Sequence, residues 1–155
     1  MHFFEGSEHP LHQDQFYLPD CISAWIAIED SNQLNGPLLL QPKSHLGELI
    51  TKTGLPELNG IDNNYDNHQK KIYFPRVNDL AKKNNIPIIK VFAKQGDVIF
   101  FHGKLIHGGS KVINNSSSRH SLACHYIPFN SNNWDRDWPR FSFDRKKRVK
   151  YRLNS

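Results

Sequence analysis

Apolar residues along this chain come in short runs that alternate with polar ones and are cut by turn residues, a period of two that predicts strands. Phe3-Phe4 ends a first strand and Leu11 to Tyr17 makes a second. Cys21 to Glu29 (CISAWIAIE) alternates as a half-buried strand should, and Asn35-Gly36-Pro37 turns the chain into Leu38 to Gln41. Pro42-Lys43-Ser44-His45 closes that strand. Further strands are expected at Ile88 to Phe92, Asp97 to Phe101, Lys104 to His107 and Ser121 to Ile127, with a Gly96-Asp97 turn between the first two. Residues 46–86 are polar and Asn-rich, carry one short helix over 76–85, and read as an insertion. About eight short strands with few helices predict an all-β sandwich or barrel, and a double-stranded jelly roll is the expected form. It would occupy residues 1–130, followed by a basic tail over 131–155.

Composition narrows the class. The 155 residues suit one domain, and 37% hydrophobic with 23% charged residues suits a packed globular core. No apolar run is long enough to span a bilayer, and the first residues lack the basic and apolar blocks of a secretory signal. Two cysteines, Cys21 and Cys124, make no disulfide framework, so they are expected as small buried apolar groups in a reducing, cytoplasmic setting. The net charge of +5 lies wholly in the stretch from Trp134 to Ser155, densest at Arg145-Lys146-Lys147-Arg148-Val149-Lys150. With no accompanying nucleic-acid motif, that run reads as a solvated tail, and nucleic acid is not the expected partner. Trp134 and Trp138 are expected to anchor the tail on the core.

Three separated elements carry chemistry. His12-Gln13-Asp14 is an HxD, and on a strand its two outer side chains share a face. Nine His and ten Asp make about 0.6 such triplets expected by chance, so the motif is weak alone. The second element runs Gly96-Asp97-Val98-Ile99-Phe100-Phe101-His102, then Leu105-Ile106-His107-Gly108, and returns a second histidine to the first pair. Two imidazoles and one carboxylate on one face of a metal leave the positions a non-haem Fe(II) oxygenase needs. The third element is Arg119 with Ser121, which on a strand share a face and suit a carboxylate. His102 competes with His107 but follows an apolar pair and suits a supporting role. His9, His45 and His125 read as hydrogen-bonded structural histidines.

The ordered set HPLHQDQFYLPD, CISAWIAIED, NGPLLLQPKSH, GDVIFFHGKLIHGGS and SRHSLACHYIP resembles the phytanoyl-CoA dioxygenase family over about residues 1–128. The resemblance implies a jelly-roll core that uses Fe(II), takes 2-oxoglutarate as cosubstrate and hydroxylates a small organic molecule. It implies iron at His12, Asp14 and His107, the cosubstrate carboxylate at Arg119, and Trp25 beside the cosubstrate. The family's PGSH reads Pro42-Lys43-Ser44-His45 here, without the turn glycine, and its HGS reads His107-Gly108-Gly109. The family's N-terminal region is longer than the stretch before the first strand here, so an exposed apolar face and a homo-oligomer are expected. Two other classes fit less of the chain. A cupin-like zinc or manganese enzyme would carry HxH and a following Glu, where this chain has HxD. A non-catalytic jelly-roll binding module would keep the fold without the turnover.

Overall fold

The computed structural model describes residues 7–58, 64–114, 117–128 and 131, together with the backbone of strands at 2–3, 140–143 and 149–152. Its strands are β1 (His2–Phe3), β2 (His9–His12), β3 (Ile22–Ala27), β4 (Leu38–Leu40), β5 (Ile89–Val91), β6 (Val98–His102), β7 (His107–Gly109), β8 (Arg119–Tyr126), β9 (Arg140–Phe143) and β10 (Val149–Arg152). One antiparallel sheet runs β1-β8-β3-β6 and the other β2-β7-β4-β5. Odd and even strands thus fall on alternate sheets until the order turns back, and early strands pair with late ones. This is the expected all-β double-stranded β-helix, or jelly roll. Among the described residues the strands β9 and β10 pair antiparallel with each other.

Alternation along each strand builds the core between the sheets. Trp25 and Ala27 of β3 meet Leu38 and Leu40 of β4, with Val91, Ile99 and Phe101 around them. The opposite faces of β3, β6 and β8 point outward, in rows that the register aligns as Tyr126-Ile22-His102, Cys124-Ala24-Phe100 and Leu122-Ile26-Val98. Ile22, Val98, Phe100, Leu122 and Tyr126 are all exposed there. Cys21 is fully buried, while Cys124 is only partly so.

The second core cluster lies in the stretch read as a polar insertion. A continuous helical segment runs through α1 (Tyr65–His68), a π-helical turn (Gln69–Tyr73) and α2 (Phe74–Lys83), longer than the 76–85 helix expected. Tyr73, Val77, Leu80 and Ala81 recur at i, i+4, i+7 and i+8 and form one apolar stripe. That stripe packs with Phe16, Ile50 and Ile106, and Leu11 and Phe74 close its edges. Pro75 explains the wider turn before it. A proline has no N–H to return to the preceding turn and its ring crowds the carbonyl there, and a π turn relieves both.

Two other sequence expectations shift. The strand drawn over Leu11 to Tyr17 ends at His12, and Asp14–Phe16 is a 3-10 turn. Gln13 forces the break: its N–H goes to the Tyr73 hydroxyl at 2.9 Å, not to a neighbouring strand. His107 opens β7 instead of closing a strand from Lys104, because Gly103 and Lys104 form a turn. No helix among the described residues is long and apolar enough to cross a membrane. Trp134, Trp138 and residues 144–148 of the basic run lie outside the described residues.

Candidate metal and cosubstrate site

The end of β2, the turn after it and the start of β7 bring His12, Asp14 and His107 together, all buried. One ligand atom from each lies within 4.8 Å of the others. Asp14 sits between the imidazoles, with Oδ1 3.4 Å from His12 Nε2 and Oδ2 3.5 Å from His107 Nε2. The two outer residues of HxD therefore converge, though not by sharing a strand face: the 3-10 turn swings Asp14 inward. Close approach of the two strands needs Gly108, where a Cβ would lie 2.7 Å from the His9 carbonyl oxygen.

The remaining ring nitrogens set the tautomers. His12 Nδ1 hydrogen-bonds the Pro10 carbonyl at 2.8 Å, and His107 Nδ1 the Leu105 carbonyl at 2.9 Å. A carbonyl accepts only, so each Nδ1 carries a proton and Nε2 is the atom each ring presents to Asp14. Burial pushes the His107 imidazole down to about 3, so it stays neutral at ordinary pH. Burial works to raise the Asp14 carboxyl, but the hydrogen bond to His12 and the nearby imidazoles outweigh it and hold it well below the usual carboxylate range. Two imidazole Nε2 atoms and one carboxylate are the donor set a divalent transition metal takes.

The intervening Gln13 is wholly buried and locks this turn. Its amide donates to the carbonyls of Glu48 and Lys104 at 2.9 and 2.8 Å and accepts from Ile50 N–H at 3.0 Å. Asp14 is held from a second side as well. Ser23 Oγ donates to Asp14 Oδ2 at 2.5 Å, and His125 Nδ1 lies 3.0 Å from the same hydroxyl and 3.4 Å from Asp14 Oδ2. Ser23 and His125 are register partners on β3 and β8. Nothing in the local pattern marks Ser23, and the sequence marks His125 only as a hydrogen-bonded structural histidine. His9 also belongs here, its ring 4.3 Å from that of His12, with burial taking its imidazole down to about 4. His102 is apart from the triad: it is exposed, stacks on His45 at 5.9 Å and accepts from Lys104 N–H.

A cavity of about 440 Å³ opens beside the triad. Arg119 and Trp25 line it, and both are buried to within 2% of full. Arg119 Nη1 donates to Ser121 Oγ at 2.7 Å, which confirms that the two share a strand face. The guanidinium carbon lies 5.3 Å from the Trp25 ring centroid, a cation–π contact. Burial lowers the arginine to about 10, so it remains charged at neutral pH. A buried, charged fork on a cavity wall suits a carboxylate. Leu18, Leu38, Phe74 and Phe101 give the cavity apolar wall, and Tyr65, Asp66, Gln69 and Lys70 of the helical segment give it a polar side.

The phytanoyl-CoA dioxygenase (PhyH) family model matches residues 3–121. The peroxisomal phytanoyl-CoA dioxygenase of Bos taurus is 35% identical over 130 residues, which are 80% of this chain and 35% of that protein. A probable phytanoyl-CoA dioxygenase of Caenorhabditis elegans is 34% identical over 125 residues, 77% of this chain and 36% of that protein. The chain thus spans about a third of the length of these curated relatives. Among solved structures, the non-heme alpha ketoglutarate dependent carbocyclase SnoK superposes with a TM-score of 0.57 at 20% identity, over 81% of this chain and 46% of that one. The epimerase SnoN in complex with Fe3+, alpha ketoglutarate and nogalamycin RO superposes with a TM-score of 0.54 at 19% identity, over 85% of this chain and 49% of that one. At these identities the two structures bear on the fold alone.

Proposed function

The chain belongs to the phytanoyl-CoA dioxygenase family, and from that premise we propose that it is a dioxygenase that binds Fe(II) and 2-oxoglutarate and hydroxylates a small organic substrate. The observation that carries this reading is the pair of imidazole Nε2 atoms facing one buried carboxylate, on a cavity that also holds a buried arginine.

His12, Asp14 and His107 would hold the metal. When bound, Fe(II) and 2-oxoglutarate supply O₂-dependent oxidation of a C–H bond, with succinate and CO₂ as the other products. The carbonyls of Pro10 and Leu105 keep both imidazoles in the tautomer that offers Nε2. Asp14 supplies the one negative charge, and Ser23 fixes its second oxygen. Arg119, steadied by Ser121 and by the face of Trp25, would pair with the far carboxylate of the cosubstrate. The apolar wall keeps water from the reacting carbon. The relatives are named for phytanoyl-CoA, and we propose an acyl-CoA thioester as the substrate class, its hydrocarbon lying on that wall.

The test is an anaerobic Fe(II) titration of the purified chain, followed by succinate release from 2-oxoglutarate in air. One Fe(II) per chain and 2-oxoglutarate turnover are expected, with both lost in Asp14→Ala. A wild-type chain that takes up no iron, or an Asp14→Ala variant with full iron and normal succinate release, overturns the reading.

A further inference from the structure

Three glutamines are buried among the described residues: Gln13, Gln41 and Gln69. Two of them use both ends of the amide. Gln13 makes the three side-chain bonds given above, and Gln41 donates to Ala81 O and Ile86 O while accepting from Asn84 Nδ2. Gln69 differs. Its Oε1 accepts from the Tyr17 hydroxyl at 2.5 Å, and its Nε2 makes no hydrogen bond to any described residue. An O–H···O bond suits this short distance better than an N–H···O bond would. The amide N–H₂ therefore belongs to the cavity that Gln69 and Tyr17 both line.

The surroundings hold it there. The Tyr17 ring is wedged edge-on between Phe16 at 5.0 Å and Tyr73 at 5.7 Å. Phe16 ends the turn that begins at Asp14 and Tyr17 follows it, and Tyr73 ends the π-helical turn that Gln69 begins. The π turn is the irregular part of the helical segment, and such turns are frequent at functional sites. A neutral amide donor is matched by a neutral acceptor such as a carbonyl oxygen, while the cavity's cations, Arg119 and Lys70, are the groups an anion would take.

We propose that Gln69 is a specificity-determining residue whose Nε2, aimed by Tyr17, donates a hydrogen bond to the carbonyl oxygen of an acyl-CoA thioester in the cavity. The assignment rests on the oxygenase reading above and deepens it.

Calorimetry under anaerobic conditions, on chain loaded with Fe(II) and 2-oxoglutarate, tests it with two probes. One is phytanoyl-CoA, and the other is the S-alkyl thioether of the same chain, which lacks the carbonyl. Wild type is expected to bind the thioester about tenfold more tightly, the worth of one such hydrogen bond. Gln69→Met should bring the two probes level by weakening the thioester alone, with 2-oxoglutarate affinity unchanged. Tyr17→Phe should remove part of the preference. Wild type that binds both probes equally, or neither while still binding 2-oxoglutarate, overturns the assignment and leaves the oxygenase standing; so does a preference that survives in Gln69→Met. Wild type that binds no Fe(II) and no 2-oxoglutarate overturns the underlying reading and the assignment together. The wild-type comparison needs no variant to fold.

Discussion

Tyr73 closes on Gln13 from sixty positions away, its hydroxyl accepting the Gln13 N–H at 2.9 Å and facing the Gln13 carbonyl at 3.1 Å. Gln13 stands between His12 and Asp14, so the helical segment reaches the backbone that spaces two of the three candidate ligands. Phe16 N–H also reaches the Gln13 carbonyl, whereas the Gln13 N–H is taken by the Tyr73 hydroxyl. Tyr73→Phe should therefore leave a buried donor unpaired and cost about 1–3 kcal/mol of stability. It should also weaken Fe(II) binding, because the turn loses its brace. Urea melts and metal titration on the variant check both, and an unchanged melt with unchanged iron affinity would show the brace to be idle.

The cosubstrate pocket makes a separate prediction. Lysine at position 119 would keep a charge but lose the fork that now donates to Ser121 and lies against Trp25. Arg119→Lys should lower 2-oxoglutarate affinity by roughly tenfold, and Arg119→Ala by roughly a hundredfold. Anaerobic calorimetry reads both. Equal affinity in all three proteins removes Arg119 from the site.

Acid should destabilise the metal-free chain. Burial lowers His107 to about 3 and His9 to about 4, from an ordinary 6.5. Below pH 6.5 the unfolded chain takes protons that the folded chain refuses, so stability rises with pH across this window. The contribution is complete above about pH 6.5 and is lost as pH falls toward 3. At pH 5, His107 alone accounts for about 2 kcal/mol. The depressed Asp14 carboxyl adds a loss of the same sign at still lower pH. Denaturant melts at pH 7.5, 6 and 5 are the measurement, and a flat profile would contradict the neutral, buried imidazole.

Lys43 adopts the left-handed backbone conformation, with φ at 62° and ψ at −3°. The turn geometry that a glycine would take freely is thus retained here by a residue that strains to take it. Lys43→Gly should stabilise the chain by about 0.5–1 kcal/mol and raise the Tm by about 1–4 °C. A thermal melt decides it, and a lower Tm would mean that the lysine side chain contributes more than the strain removes.

What the sequence determined by itself was the strand-rich jelly roll and the identity of the residues that converge. Periodicity of two is a local property, and turns at Gly36 and Gly96 are written in single residues whose φ values of 77° and 91° bear them out. His12, Asp14, His107, Arg119 and Ser121 were legible because residue type and order carry them. Tertiary structure alone decided how they are held. Asp14 leaves the strand for a 3-10 turn because Tyr73 takes the Gln13 N–H. Ser23 and His125 come to Asp14 from two strands 102 positions apart, through a register that no local pattern contains. The helical stretch looked like a polar insertion because its core stripe is four residues among exposed neighbours. It became core only when β2, β7 and the following turns offered it an apolar face to cover. Gln69 reads in sequence as one more polar helix residue, and only burial beside Tyr17 turns one end of its amide toward the cavity. Hydrogen bonds between distant segments depend on sheet register and helix docking, which the chain acquires only by folding.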